Sequence, residues 1–323
     1  MNTFVRCWSL CIILASAQVS YAWNDAGHMF ISLQTFEMLT PKLRLKYVNI
    51  LKQHPRYRED FAALKANTFE DRNLDKDDAW VFAFASTWPD LSRHFGHVKP
   101  ARERERLVEK YSHGRWHYVN HPLYISPKDK VALQIAAPVL GIKPAPALQA
   151  MNIVQALSFV ERKIRNRNLA VENKAVYLSW WLHLMGDLHQ PLHNVALFAR
   201  KRFSRGDRGG NSIRVGKKHN LHSVWDGSLA RGLVDWPRII ENRITDSLSV
   251  LHASDGRSNY AGWSRESAKL ADNKIYTQQV RKTLSRKARL PKPDEAQNTS
   301  RALIAQSQAA IAAKRMSLLL SEF

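Results

Sequence analysis

The chain reads as mainly α, a single-domain multi-helix bundle, on three observations. Apolar residues recur at helical spacing through most of its length. Hydrophobic residues fill 45% of the 323 positions against only 13 glycines and 13 prolines, the composition of a well-cored globular protein. One stretch alone, Gly209-Gly210-Asn211-Ser212-Ile213-Arg214-Val215, turns to alternation after a glycine pair, which predicts one short β-hairpin near 209–217.

Taken in order, residues 1–22 read as a secretory signal: Arg6, an apolar run from Trp8 to Ala15 too short to span a bilayer, then Ser20-Tyr21-Ala22 as a small-x-small cleavage site. Cleavage there makes Trp23 the mature N-terminus, residues 23–323 the single domain, and the protein secreted or periplasmic. Both cysteines, Cys7 and Cys11, fall in the signal, so the mature chain has no disulfide and a bound metal can take the stapling role. Helical spacing covers 27–39 and 41–53, the second opened by Thr40-Pro41. An apolar helix over 77–88 meets Pro89 and presents Asp90, with Arg93 three residues on. Residues 95–112 are strongly charged and read as a solvated excursion. Helical patterns resume over 128–140, 146–165 and from 172, then over 230–251 and 258–282. Residues 283–300 read as a loop or linker before a last amphipathic helix over 301–320. No repeat and no composition break marks a second domain.

Charge narrows the partners. The formal charge is +21, and removing Arg6 with the signal leaves +20. A pI near 10.2 favours a polyanion, either nucleic acid or an anionic membrane surface. Arg200, Lys201, Arg202, Arg205 and Arg208 precede the hairpin and read either as a phosphate-tracking loop or as a solvated charged one.

The chemistry concentrates between Trp180 and His193. His183 and Asp187 are four apart and share one helical face. Gly186 leaves room between them for a close approach to the backbone. Pro191 stops the helix, and His193 follows where the chain can curl back. Imidazole and carboxylate together suit a borderline cation such as zinc, although His and Asp could instead bond each other in a buried helix. His222 and Asp226 repeat the spacing. His117 is sheltered by aromatic neighbours, with Tyr118 and Asn120 able to meet a flat polar ligand. The Trp23 amine and carbonyl can chelate a metal, and His28 can add a third ligand.

In this order the residues resemble the zinc-dependent single-strand-specific nucleases of the S1/P1 type, whose fold is shared with bacterial zinc phospholipases C. The match runs from Trp23 to about Leu229 and leaves the tail beyond about 285 outside. The resemblance implies three zinc ions per chain. Asp90, His117, His183 and Asp187 would hold the first, and His193, His222 and Asp226 the second. Trp23 and His28 would hold the third, with Asp187 bridging it to the first across about 3.5–4 Å. It further implies in-line attack by a water-derived hydroxide oriented by Asp90, with Arg93 and Asn211 stabilising the phosphoryl oxygens and 5′-phosphates as products. Tyr118 would stack a base and Asn120 bond its edge, with little sequence preference. The substrate would be single-stranded DNA or RNA, and the enzyme a monomer without stable membrane insertion. The residues leave open which nucleic acid is preferred and whether 3′-mononucleotides are cleaved. His189 is expected to steady a ligand, and His113, His121 and His219 to be supporting or surface residues.

The chain also departs from the family. Its expected mature form has no cysteine for the disulfides of eukaryotic members, and Asn120 stands where an acid is common. Two other readings remain. A zinc phospholipase C would suit the charge, but Asp226 in place of Glu and the Tyr118–Asn120 pair oppose it. A non-catalytic, metal-stabilised nucleic-acid-binding protein would require a lost ligand, and none is missing.

Overall fold

The computed structural model describes residues 23–63, 78–142, 147–229, 257–286 and 289–323, so the expected signal over 1–22 and helix over 230–251 lie outside the described residues. Helix α1 (Asp25–Met38) starts where the Asn24 side chain accepts from the Gly27 amide at 3.0 Å. Helix α2 (Pro41–Leu51) starts at Thr40, whose hydroxyl accepts from Leu43. A π-turn over Tyr57–Ala62 then buries Asp60 completely. Its carboxylate accepts from the Trp88 indole at 2.8 Å and the Arg56 guanidinium at 2.7 Å. Those bonds fix the corner between α3 (Asp78–Ala85) and the short α4 (Trp88–Leu91), which carries Asp90.

The charged stretch over 95–112 is only in part a solvated excursion. It contains α5 (Ala101–Tyr111), which buries Leu107 and Tyr111 on its inner side, and Phe95 before it is fully buried. The charges occupy the outer face and mask the apolar stripe. Strand β1 (His121–Tyr124) leads to α6 (Pro127–Leu133), which ends at Gln134 with φ +45° rather than running to 140. Helix α7 (Ile153–Arg165) opens with a reciprocal Asn152–Gln155 capping box.

Helix α8 (Val171–His189) is the axis of the molecule, and every residue from Leu178 to His189 is buried. Helices α1, α2 and α7 pack on it. Burying each of its Leu and Met side chains contributes about 1.5–3 kcal/mol. Beyond Pro191, β2 (Val195–Phe198) pairs parallel with β1 in the register His121↔Val195 to Tyr124↔Phe198. This pairing was not expected: two four-residue strands so far apart leave no periodicity to read. The expected hairpin is present but displaced toward the C-terminus, joining β3 (Arg214–Val215) to β4 (His219–Asn220) antiparallel. Helix α9 (Leu221–Asp226), then α10 (Tyr260–Leu270) and α11 (Gln278–Ser285), precede the final helix α12 (Glu295–Glu322). A capping box between Asp294 and Gln297 starts α12 well before residue 301, which shortens the expected linker. Helix α12 packs on α1 and α8, and α10 closes on α8 and on the turn that follows it.

Candidate metal centre and its cationic cavity

Three titratable side chains, His183, Asp187 and His189, sit in the buried half of α8 at 0–1% exposure. Buried charge is costly unless it is paired, so their partners matter. Asp187 is the hub. Its Oδ2 lies 3.1 Å from His117 Nδ1 and 3.2 Å from His183 Nε2, while its Oδ1 lies 3.2 Å from His28 Nε2. Asp90 Oδ1 stands 3.9 Å from both His117 Nδ1 and His183 Nε2. The His28 ring stacks on that of His183 with centroids 4.0 Å apart. Gly186 makes this possible, since a Cβ there would lie 2.8 Å from His28 Nδ1. Its carbonyl also accepts from the fully buried Trp23 indole at 3.0 Å. Trp23, His28, Asp90, His117, His183 and Asp187 thus meet at one place. His28 approaches Asp90 and His183 as well as Asp187, so the two groups expected to share only Asp187 interpenetrate further.

The second cluster lies alongside. His193 donates from Nδ1 to the His117 carbonyl at 2.6 Å, and His222 from Nδ1 to the Gly209 carbonyl at 2.6 Å. A carbonyl only accepts, so in neutral imidazoles both Nε2 atoms would carry lone pairs, and these atoms face each other at 3.0 Å. Asp226 Oδ1 lies 3.6 Å from His222 Nε2 and is oriented by the Gln190 amide at 2.8 Å.

This donor set fits divalent metal. Converging lone pairs repel unless a cation lies among them, and the fixed Nδ1 bonds are the outer partners that orient metal-ligating histidines. Asp90 Oδ2, Asp187 Oδ1 and both His28 nitrogens are buried without a hydrogen-bond partner among the described residues. The electrostatics point the same way. Burial would lower His183, but the Asp187 and Asp90 carboxylates override it and lift it to about 9. Burial, and next the positive charge of His183, push His28 down to about 4. Burial and His193 push His222 down to about 3. The carboxylates demand positive charge that most of the imidazoles are too buried to supply by protonation.

Above these clusters opens a cavity of about 740 Å³. His117, His193 and His222 line it, as do Tyr118, Asn120, Arg93 and Asn211. Arg93 Nη1 lies 3.4 Å from Asp90 Oδ1, so it joins the cavity to the buried cluster. Every residue expected to act therefore lies at the clusters or on the cavity wall. Arg205 and Arg208 of the basic run also line the wall, and with them Arg214, Lys218 and His219, which were not expected there. The basic run was the available signal, although only part of it faces inward. His189 departs from expectation. It bonds the Met185 carbonyl at 2.8 Å and Arg315 at 3.0 Å, away from the clusters. It follows Asp187 by two positions, about 200° around a helix, which turns it to the opposite face.

Fold and site define a mainly helical protein with a buried His–Asp centre suited to divalent metal. The chain belongs to the S1/P1 nuclease family, whose model matches residues 23–322. That match takes in α12, so the tail beyond 285 lies inside the family region. Nuclease P1 of Penicillium citrinum is 32% identical over 84 residues, 25% of this chain and 28% of its own length. Endonuclease 5 of Arabidopsis thaliana is 40% identical over 67 residues, 20% of each chain. Endonuclease 3 of the same plant is 24% identical over 245 residues, 73% of this chain. The chain spans 64% of the length of Endonuclease 3 and less than a third of nuclease P1. Among the described residues no helix is long and apolar enough to cross a membrane.

Proposed function

We propose that this chain is a secreted or periplasmic zinc nuclease, acting as one domain over 23–323, that hydrolyses single-stranded DNA and RNA to 5′-phosphate products. One observation carries the reading. Buried His and Asp lone pairs converge beneath a cavity whose wall, among the described residues, bears five cationic side chains and no carboxylate. Asp90, His117, His183 and Asp187 would hold one zinc, His193, His222 and Asp226 a second, and Trp23 with His28 a third. The donor set, imidazole and carboxylate without thiolate, suits zinc. Bound zinc would lower the pKa of water and neutralise charge on the leaving oxygen.

The side chains do the rest. Asp90 accepts the proton side of the attacking water and aims it at phosphorus. Arg93, tethered to Asp90, meets the phosphoryl oxygens from within the cavity, and Asn211 meets them from the opposite wall. Tyr118, 37% exposed on the wall, offers its ring to a base, with Asn120 at the base edge. A stacked, paired base cannot reach that ring, which favours single strands. A wall with an aromatic platform and an amide favours nucleotides over lipid headgroups. Signal removal would free the Trp23 amine for the third ion.

The test is metal analysis of the protein with Trp23 at its N-terminus, alongside cleavage of single-stranded DNA, RNA and phosphatidylcholine. About three zincs per chain with chelator-sensitive nucleic-acid cleavage is the expected result. Lipid turnover without nucleic-acid cleavage would sink it.

A further inference from the structure

We propose that Arg205, Arg208, Arg214 and Lys218 form a track for the backbone phosphates flanking the scissile one, so that polynucleotides are preferred over substrates with a single phosphodiester. This rests on the nuclease reading above and adds a specificity device to it.

All four side chains are exposed and line the same cavity. None makes an ion pair with a carboxylate among the described residues. The contrast with Arg200, in the same basic run, is informative. Arg200 does not line the cavity and lies 3.6 Å from Asp129. Arg200 is thus engaged by an acid away from the cavity, while the four cations on the cavity wall have no such partner among the described residues.

The loop that carries them is built rather than slack. Asp207, between Arg205 and Arg208, is fully buried. Its carboxylate accepts from the Leu197 amide at 2.8 Å, the Gly210 amide at 2.9 Å and the Tyr276 hydroxyl at 2.5 Å. Arg208 is held at φ +60°, a conformation an L side chain rarely adopts, between Gly206 at +84° and Gly209 at +59°. Strained backbone persists only where its surroundings over-determine it, and such strain gathers at ligand clamps. Arg214 lies on β3 and Lys218 is the last residue of the turn into β4, with Val215 buried between them as the anchor. Arg93 and the metal centre already address the scissile phosphate. Four further cations exceed what one phosphate needs and match a chain of them.

The test uses the zinc-loaded enzyme and the variant Arg205→Gln/Arg214→Gln/Lys218→Gln, keeping Arg208 for its backbone. The substrates are a thymidylate oligomer of about 20 nucleotides and the dinucleoside monophosphate TpT. On the oligomer at low salt, kcat/KM should fall about tenfold or more, and on TpT by less than about twofold. Each lost single-strand phosphate contact removes about 0.7 from the salt slope, so that slope should become shallower by roughly 2. Should the triple variant fail to fold, Lys218→Gln alone should flatten the slope by roughly 0.7. An equal fall on both substrates, or an unchanged salt slope, would overturn the track while leaving the nuclease reading intact. A wild-type enzyme that cleaves neither substrate would overturn that reading and the track with it.

Discussion

His183 and Asp187 stand at 0% exposure in the middle of a buried helix, whereas Arg205 and Arg208 stand exposed on a loop with three glycines at positive φ. The two regions meet at His222, whose Nδ1 donates to the carbonyl of Gly209. The floor takes its geometry from helical spacing and from carbonyl bonds that orient His183, His193 and His222. The rim takes its geometry from one buried carboxylate, Asp207, which gathers donors from β2, from its own loop and from Tyr276. Under the proposed function, the difference separates two duties. Side chains that must hold a charged centre are placed by packing, and side chains that meet a flexible polymer are placed by a loop that can vary without disturbing the core.

The sharpest way to separate floor from rim is Asp90→Asn. Losing the water-orienting carboxylate should lower cleavage by about 10²–10⁴-fold while binding of a single strand is largely kept. Parallel turnover and filter-binding measurements check this, and an active variant would break the division of duties.

Chelation comes next. An ion held at about a thousand times its Kd adds roughly 4 kcal/mol, so stripping even one should lower Tm by roughly 8 °C or more. Calorimetry with and without EDTA measures it. An unchanged Tm would show that the floor is not cross-linked by metal.

Asp207→Ala attacks the rim. It strands the Leu197 and Gly210 amides and the Tyr276 hydroxyl, at about 1 kcal/mol or more for each buried donor left unpaired. Urea unfolding should register the loss, and KM on oligonucleotides should rise more than kcat falls. A larger effect on kcat would mean that the loop serves the floor through Gly209 and His222.

The smallest effect expected is a pH dependence outside both regions. Burial lowers His54 to about 3, and burial with the Arg315 charge lowers His189 to about 3. Both are depressed bases, so their stabilisation is present above pH 6.5 and is lost as pH falls from there toward 3. Between pH 7.5 and 5.5 each should cost about 1.4 kcal/mol. His189→Gln should remove its share of that slope, read as Tm against pH.

The floor was legible because its rules are local. The separation of His183 and Asp187 puts them on one face, Pro191 ends their helix, and Gly186 announces a close approach that proves to be His28. The same arithmetic would have turned His189 away from the centre. The rest depends on partners distant in sequence. The β1–β2 pair joins 121–124 to 195–198 with no periodicity of its own. Leu107 and Tyr111 of α5 are hidden among charges. Which of the basic residues face inward is decided by Asp207, whose partner Tyr276 lies far along the chain.

Helix α12 is 28 residues long and lies against both α1, which carries His28, and α8, which carries Asp187. The Tyr47 hydroxyl donates to the Leu320 carbonyl, which ties α2 to the same helix. One brace therefore clamps the two helices whose side chains meet in the buried cluster, and loosening α12 would release both sides of that meeting point together.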